Sequence, residues 1–283
     1  MNYRHAFHAG NFADVLKHAV LARVIAHLKQ KSTPFRVIDT HAGAGLYDLH
    51  GNEAARTGEW LDGIGRLLGP DAAPVPENVQ ALLEPYLATV RALNDGGPLR
   101  AYPGSPRLAL ALMRGDDRLI ANELHPEDRD RLEATLRRDD RAKVLGLDGW
   151  QALRALLPPR ERRGIVLIDP PFEEPGEFER LQQGLAAAVA RFATGVYLLW
   201  YPLKSADAAS AFERGLSTAG HDKLLCVELK VADRSEKLAA AGLMILNPPF
   251  RLEDELQVLL PFLAERLAVG AGAVGTVRRP TSP

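Results

Sequence analysis

The sequence predicts an α/β protein built on a seven-stranded, mostly parallel, doubly wound sheet. Three observations carry that expectation. Short apolar, β-branched runs alternate with helical patterns, several of the runs lead directly into glycine- or acid-bearing loops, and the composition is globular. The 283 residues are 46% hydrophobic and 25% charged, which excludes disordered, collagen-like and disulfide-scaffold classes. Lysine plus arginine total 35 against 36 for aspartate plus glutamate, a net charge of -1. Bulk electrostatics therefore cannot hold a nucleic acid, and any polyanion must meet a local patch. The single cysteine, Cys226, lies in an apolar run and permits no internal disulfide. With no long apolar stretch and a polar start at Met1-Asn2-Tyr3-Arg4-His5, the expectation is a cytoplasmic protein with no membrane span or signal peptide.

Taken in order, Asn11 followed by Asp14, Val15, Leu16, Ala19 and Val20 predicts a capped amphipathic helix to about Gln30, stopped by Ser32, Thr33 and Pro34. Phe35 to Ile38 forms a buried first strand that delivers Asp39-Thr40-His41-Ala42-Gly43-Ala44-Gly45. Residues 51–100 carry two helical patterns, near Thr57 to Leu68 and Pro76 to Leu93, with no strand, and read as a small helical insertion. Six further strands follow at Leu119 to Ala121, Val144 to Leu147, Ile165 to Ile168, Val196 to Trp200, Leu224 to Leu229 and Leu243 to Leu246. Thr276 to Pro283 reads as a loose tail. Ligands of such a sheet sit beyond the carboxyl ends of its strands, where the strand order switches.

The residues at those ends suggest the ligand. Gly43 and Gly45 let backbone N–H groups approach it closely. Asp48 stands where a dinucleotide fingerprint needs its third glycine, and no phosphate-loop lysine is present. Glu123, ending the second strand, can accept both hydroxyls of a ribose or cap the helix opened by Pro126. Asp148, beside Gly149 at the end of the third, can accept from an adenine amino group or serve as a turn residue. Acids in these places beyond a glycine loop suit an adenosyl ligand without phosphates, and S-adenosylmethionine fits better than NAD or ATP.

The fourth strand delivers Asp169-Pro170-Pro171-Phe172. Two prolines fix the backbone. The Asp169 side chain and the Pro170 carbonyl can accept both hydrogens of an exocyclic amine while Phe172 stacks on the base, so positioning and electrostatics carry an in-line methyl transfer to nitrogen. A second candidate, Asn247-Pro248-Pro249-Phe250, closes the seventh strand. Because that strand runs antiparallel, its end emerges away from the cofactor, and the motif is structural.

The segments Tyr3-Arg4-His5-Ala6-Phe7-His8-Ala9-Gly10-Asn11, Asp14-Val15-Leu16-Lys17-His18, Asp39 to Gly45, Tyr102-Pro103-Gly104-Ser105-Pro106, Glu123-Leu124-His125-Pro126, Ile168-Asp169-Pro170-Pro171 and Leu199-Trp200-Tyr201-Pro202 resemble the bacterial 23S ribosomal RNA adenine-N6 methyltransferases of the RlmJ type. The resemblance covers nearly the whole chain. It implies a Rossmann-like class I methyltransferase fold, S-adenosylmethionine as donor with S-adenosylhomocysteine as product, and one adenosine of 23S rRNA as target. By the same resemblance His18, His41, Ser105, Glu123, Asp148 and Gly149 contact the cofactor beside Gly43 and Asp169, Asp169 is the catalytic acceptor, and Tyr3 lies at the RNA. Phe172 stands where the motif commonly ends in tyrosine, keeping the stacking face without the hydroxyl. Residues 1–33 then form an N-terminal helical lid on a single methyltransferase domain spanning 1–283. Ser105 before Pro106 is a helix N-cap by pattern.

RNA must be engaged locally. Tyr3, Arg4, His5 and His8 offer aromatic and cationic groups, Lys17 is placed with them on the RNA side, and Arg160, Arg162 and Arg163 form a second basic cluster. His5 and His8 lack the cysteine or carboxylate that would complete a metal set, so no metal is expected. The target base must be unpaired or flipped, which favours a defined hairpin bound by a monomer. Amino methylation of DNA adenine or protein glutamine, and a non-catalytic ribosome-assembly factor, are the alternatives.

Overall fold

The computed structural model describes residues 4–233 and 237–280. The chain opens with α1 (Phe12–Leu28), β1 (Arg36–Asp39), β2 (Leu46–Asp48), α2 (Asn52–Thr57), α3 (Gly65–Leu68), α4 (Glu77–Leu93), β3 (Ala101–Pro103) and α5 (Ser105–Leu112). Strand and helix then alternate through β4 (Arg118–Asn122), α6 (Pro126–Leu136), β5 (Ala142–Leu145), α7 (Gly149–Leu156), β6 (Gly164–Ile168), α8 (Glu177–Arg191), β7 (Val196–Pro202), α9 (Ala206–Thr218) and β8 (Leu224–Lys230). The chain finishes with β9 (Ala240–Leu246), α10 (Leu252–Arg266) and β10 (Val274–Arg278).

Eight strands form one sheet in the order β10-β8-β9-β7-β6-β1-β4-β5. The five strands from β5 to β7 are parallel, β9 runs antiparallel between β7 and β8, and β10 pairs antiparallel with β8. Strand order reverses between β1 and β6, so the crevice beyond their carboxyl ends is where a ligand belongs. The seven expected strands are present, and the correction is an eighth: the start of the expected tail is an edge strand. Its residues are half-exposed, so periodicity does not reveal it; register does, with Thr276 opposite Glu228.

Side chains alternate across the sheet. Val37, Ile165 and Leu167 pack with α1, α4, α5 and α10 on one face, while Ile38, Val166 and Ile168 pack with α7, α8 and α9 on the other. Asn11 caps α1 as expected, its Oδ1 accepting from the N–H groups of Ala13 and Asp14 at 3.0 Å. The helix is not amphipathic, however. It is buried on nearly every side, from Phe12 to Leu28, so it is a core element forming the cavity wall, where a lid was expected.

The insertion is joined to the sheet by the small β2–β3 ladder, in which Tyr47 faces Tyr102. Its first expected helix is broken. Gly58 ends α2 in the left-handed region (φ 62°), a short 3-10 turn follows at Glu59–Leu61, and Ile64 N–H then donates to the Gly10 carbonyl at 2.8 Å. A Cβ on Gly63 would stand 2.0 Å from that same carbonyl, so glycine is what lets the insertion dock on the start of α1. Among the described residues no helix is long and apolar enough to cross a membrane.

Asn247 follows β9 at the amino ends of the parallel strands, since Leu246 lies opposite Tyr197 at the start of β7. Its amide donates to the carbonyls of Ala193 and Gly195 at 2.9 and 2.8 Å. Arg160, Arg162 and Arg163 also precede β6 at this end, remote from the crevice. Arg163 is spent on the backbone carbonyls of Leu28 and Thr33, which corrects their placement with RNA.

β10 passes tightly over α10, and a Cβ at Gly275 would lie 2.5 Å from the Leu260 carbonyl oxygen. Gly275→Ala is expected to destabilise the protein by roughly 1–3 kcal/mol in urea unfolding through this overpacking. A midpoint unchanged from wild type would show that the eighth strand is not docked there.

Candidate active site

Beyond the carboxyl ends of β1, β4, β5 and β6 lies a cavity of about 880 Å³. Its wall includes His18 and Lys17 from α1, His41 and Gly43 after β1, Ser105, Glu123, Asp148, Gly149 and the whole Asp169 tetrapeptide. One concave site thus gathers nearly every residue picked out by the strand-end reading. Of the three RNA assignments, Lys17 lies in the wall and Arg4 does not. Arg4 is ion-paired with Glu127 on α6, and Tyr3 lies outside the described residues.

The loop after β1 turns sharply because Gly43 and Gly45 take φ values of 61° and 76°. Any side chain at Gly43 would strike the Tyr47 hydroxyl, 2.2 Å from a built Cβ. Glu123 holds this turn: Oε2 accepts from Gly43 N–H at 2.8 Å and Oε1 from His125 N–H at 2.7 Å. It therefore organises the loop and faces the cavity together, and burial raises its pKa. Asp148 caps α7, accepting from Trp150 and Gln151 N–H on Oδ1 alone. Ser105 is the first residue of α5 and not its cap. Its hydroxyl is drawn off to Asp39 Oδ2 at 2.6 Å.

Asp39 is 1% exposed, and burial pushes its carboxyl up to about 7 against the opposing bond from Ser105. The charge of Asp169 pushes the same way.

Lys17 joins two carboxylates. Its side chain is 5% exposed, and the ammonium lies 2.9 Å from Asp14 Oδ1 and 2.5 Å from Asp169 Oδ2. Asp14 Oδ2 in turn accepts from Gly10 N–H and contacts His5 Nε2, both at 2.9 Å. The attraction of the two carboxylates outweighs desolvation and holds Lys17 well above the usual lysine range, while His5 and Lys17 together hold Asp14 well below the carboxylate range. This corrects the placement of Lys17 on RNA: a buried ammonium with two carboxylate partners orients Asp169 and is not offered to a phosphate.

Burial also pulls both cavity histidines down, His18 to about 3 and His41 to about 4, so both rings are neutral near pH 7. His18 Nδ1 meets the Tyr102 hydroxyl at 2.8 Å, and its Nε2 is buried without a hydrogen-bond partner. At the tetrapeptide, Phe172 takes a left-handed φ of 52°, a conformation that costs a non-glycine residue roughly 1–3 kcal/mol and persists where the surroundings dictate it. Its ring packs edge-on against Phe178 and Trp200, with centroids 5.0 and 5.9 Å away.

Strand-end reasoning missed Asp39, Asp14, Tyr102 and Tyr86 as contributors. Asp14 shares a helical face with Lys17 and His18, a signal present in the sequence, whereas the Ser105 and Asp39 pairing spans 66 positions and has none.

A family model described as "Ribosomal RNA large subunit methyltransferase D, RlmJ" matches residues 32–278. The chain belongs to the RlmJ family. It is 43% identical over 279 residues to ribosomal RNA large subunit methyltransferase J of Escherichia coli, covering 98% of each chain. The Haemophilus influenzae protein of the same name is 40% identical over 270 residues, 94% of each. The crystal structure of a Legionella pneumophila protein superposes with a TM-score of 0.88 at 32% identity, covering 97% of this chain and 99% of that one. The fold is therefore the mostly parallel α/β sheet of the methyltransferases.

The cavity fits the adenosyl cofactor of an RlmJ enzyme. Gly149 leaves room that a Cβ would fill, 2.5 Å from His41 Nε2, and the unpartnered His18 Nε2 offers a polar contact. Neutral histidines suit a ligand that carries a sulfonium cation.

Asp39 supplies a pH test. A carboxyl whose folded pKa is raised binds its proton more tightly in the folded state, so its contribution to stability is present at low pH and is lost as pH rises from the ordinary aspartate value near 4 to about 7. Asp39→Asn removes this group. The melting temperature of the variant relative to wild type should climb between about pH 4 and 7 and level off above. A constant difference across that range would contradict the assignment.

Proposed function

We propose that the protein transfers the methyl group of S-adenosylmethionine to N6 of one adenosine in 23S rRNA. The observation that carries this reading is Asp169, held by Lys17 at the end of β6 and followed by two prolines and an aromatic ring in the cavity wall. Bound S-adenosylmethionine supplies an electrophilic methyl on sulfur. Everything else is positioning by the chain. Lys17 occupies Asp169 Oδ2, leaving Oδ1 to accept one hydrogen of the adenine amine, and the Pro170 carbonyl accepts the other. The nitrogen lone pair is then turned toward the methyl, and Phe172, braced by Trp200 and Phe178, stacks on the base. Glu123 and Asp148 take the ribose and adenine of the cofactor, with Gly43, His41, Ser105 and Gly149 shaping its bed.

Because Asp169 is only 14% exposed, a base stacked within a duplex cannot reach it, so the target is unpaired or flipped, at a cost of a few kcal/mol. A hairpin presents such a base. Net charge -1 leaves RNA to be drawn by local groups, and Arg180, Lys204 and Lys237 line the cavity. The protein is proposed to act on this RNA as a monomer in the cytoplasm.

Asp169→Ala is expected to lower transfer of labelled methyl to a 23S rRNA transcript by ~100-fold or more, as when one preorganised electrostatic partner is lost, with S-adenosylhomocysteine binding weakened far less. Full methylation by the variant would overturn the mechanism. Label entering DNA or protein in place of rRNA would overturn the substrate.

A further inference from the structure

The two cavity histidines carry hydrogen bonds that assign them opposite tautomers. Thr40 has one hydroxyl hydrogen and two neighbours for it, the Leu167 carbonyl at 3.0 Å and His41 Nδ1 at 2.8 Å. Both contacts are hydrogen bonds at once only when that hydrogen goes to Leu167 and His41 Nδ1 donates to Thr40, and we read the pair in that sense. His41 carries its proton on Nδ1, and its Nε2 is a bare lone pair.

His18 is fixed the other way by two phenols. Its Nδ1 lies 2.8 Å from the Tyr102 hydroxyl, which lies 2.8 Å from the Tyr86 hydroxyl, and all three side chains are buried. Were Nδ1 the donor, Tyr102 would donate onward to Tyr86. The Tyr86 hydrogen would then have no acceptor among the described residues, and Nε2 would be a second buried orphan. In the opposite sense Tyr86 donates to Tyr102 and Tyr102 donates to Nδ1. One group is left over, the Nε2–H at the cavity wall, so the chain of bonds runs in this direction.

We propose that Tyr102, with its oxygen pinned by Tyr86, is a positioning residue that holds His18 as the Nε2–H tautomer, a fixed donor for the carboxylate of the methionyl part of the cofactor. That group is the one anion of S-adenosylmethionine, and it meets the donor without bringing a cation beside the sulfonium. The identity of the acceptor rests on the cofactor reading given above, whereas the tautomer does not. Tyr86 stands on α4 of the insertion and Tyr102 on β3, the strand that joins the insertion to the sheet, so the insertion helps to shape the cofactor subsite. A second shell that sets which imidazole nitrogen is protonated is familiar from metal-bound histidines.

The test is a long-range ¹H–¹⁵N spectrum of ligand-free enzyme labelled at histidine, with His18 and His41 assigned by their loss in His18→Gln and His41→Gln. The expected result is a protonated Nε2 and bare Nδ1 for His18 and the reverse for His41. In Tyr102→Phe, which keeps the ring stacked on His18 at 5.5 Å, His18 should become a mixture of tautomers. S-adenosylhomocysteine should then bind roughly three- to tenfold more weakly by calorimetry, the size of one net hydrogen bond. Tyr86→Phe leaves the Tyr102 donor in place and should keep the tautomer. A wild-type His18 protonated on Nδ1, or a Tyr102→Phe spectrum unchanged at His18, would overturn the proposal. Wild type that fails to bind S-adenosylhomocysteine would instead overturn the cofactor reading, leaving the tautomer result to stand by itself.

Discussion

The Lys17 ammonium, enclosed between Asp14 and Asp169, is the contact on which the geometry of the site depends. Taking a charge out of water costs several kcal/mol, and only close opposite charge offsets it. α1 must therefore lie where its second turn meets the end of β6, and the carboxylates must stay where the ammonium can reach both. The same bond that seats the helix in the core aims the catalytic side chain. Asp14 extends the arrangement to Gly10 and His5, so the turn before α1 is tied to the chemistry through two carboxylate oxygens.

Around this charged centre the buried side chains nearest it are kept neutral or matched. Burial leaves His18 and His41 uncharged and makes Asp39 costly to ionise. A cationic cofactor thus meets neutral histidines and, in Lys17, an ammonium already committed to carboxylates. Strain is placed at the same spot: Phe172 holds a left-handed backbone next to two prolines, and its ring is braced by Phe178 and Trp200. Rigid acceptors and a rigid stacking face cost no reorganisation when the amine arrives.

What could be read from the sequence follows the range of the forces involved. The Asn11 cap, the glycine turn after β1, the acids ending β4 and β5 and the Asp-Pro-Pro run after β6 are local, and each stands where its pattern indicates. β10 escapes because an edge strand half-exposed on both faces has no period to display. The helix expected near Thr57 to Leu68 breaks because Gly63 must pass against the Gly10 carbonyl, a contact 53 positions away in the chain that no local propensity encodes. Lys17 looks like a surface cation on a mixed helix face until the fold brings Asp169, 152 residues on, within 2.5 Å. Ser105 caps by pattern, yet Asp39 takes its hydroxyl.

The central claim, one adenosine of 23S rRNA methylated at N6 through Asp169, is tested most directly in the cell. Nuclease fragments of 23S rRNA from strains with the gene intact, deleted, and restored with Asp169→Ala are compared by mass spectrometry. The account predicts a single N6-methyladenosine that vanishes on deletion and does not return with the variant. An unchanged set of methylated adenosines after deletion, or full restoration by Asp169→Ala, would contradict it.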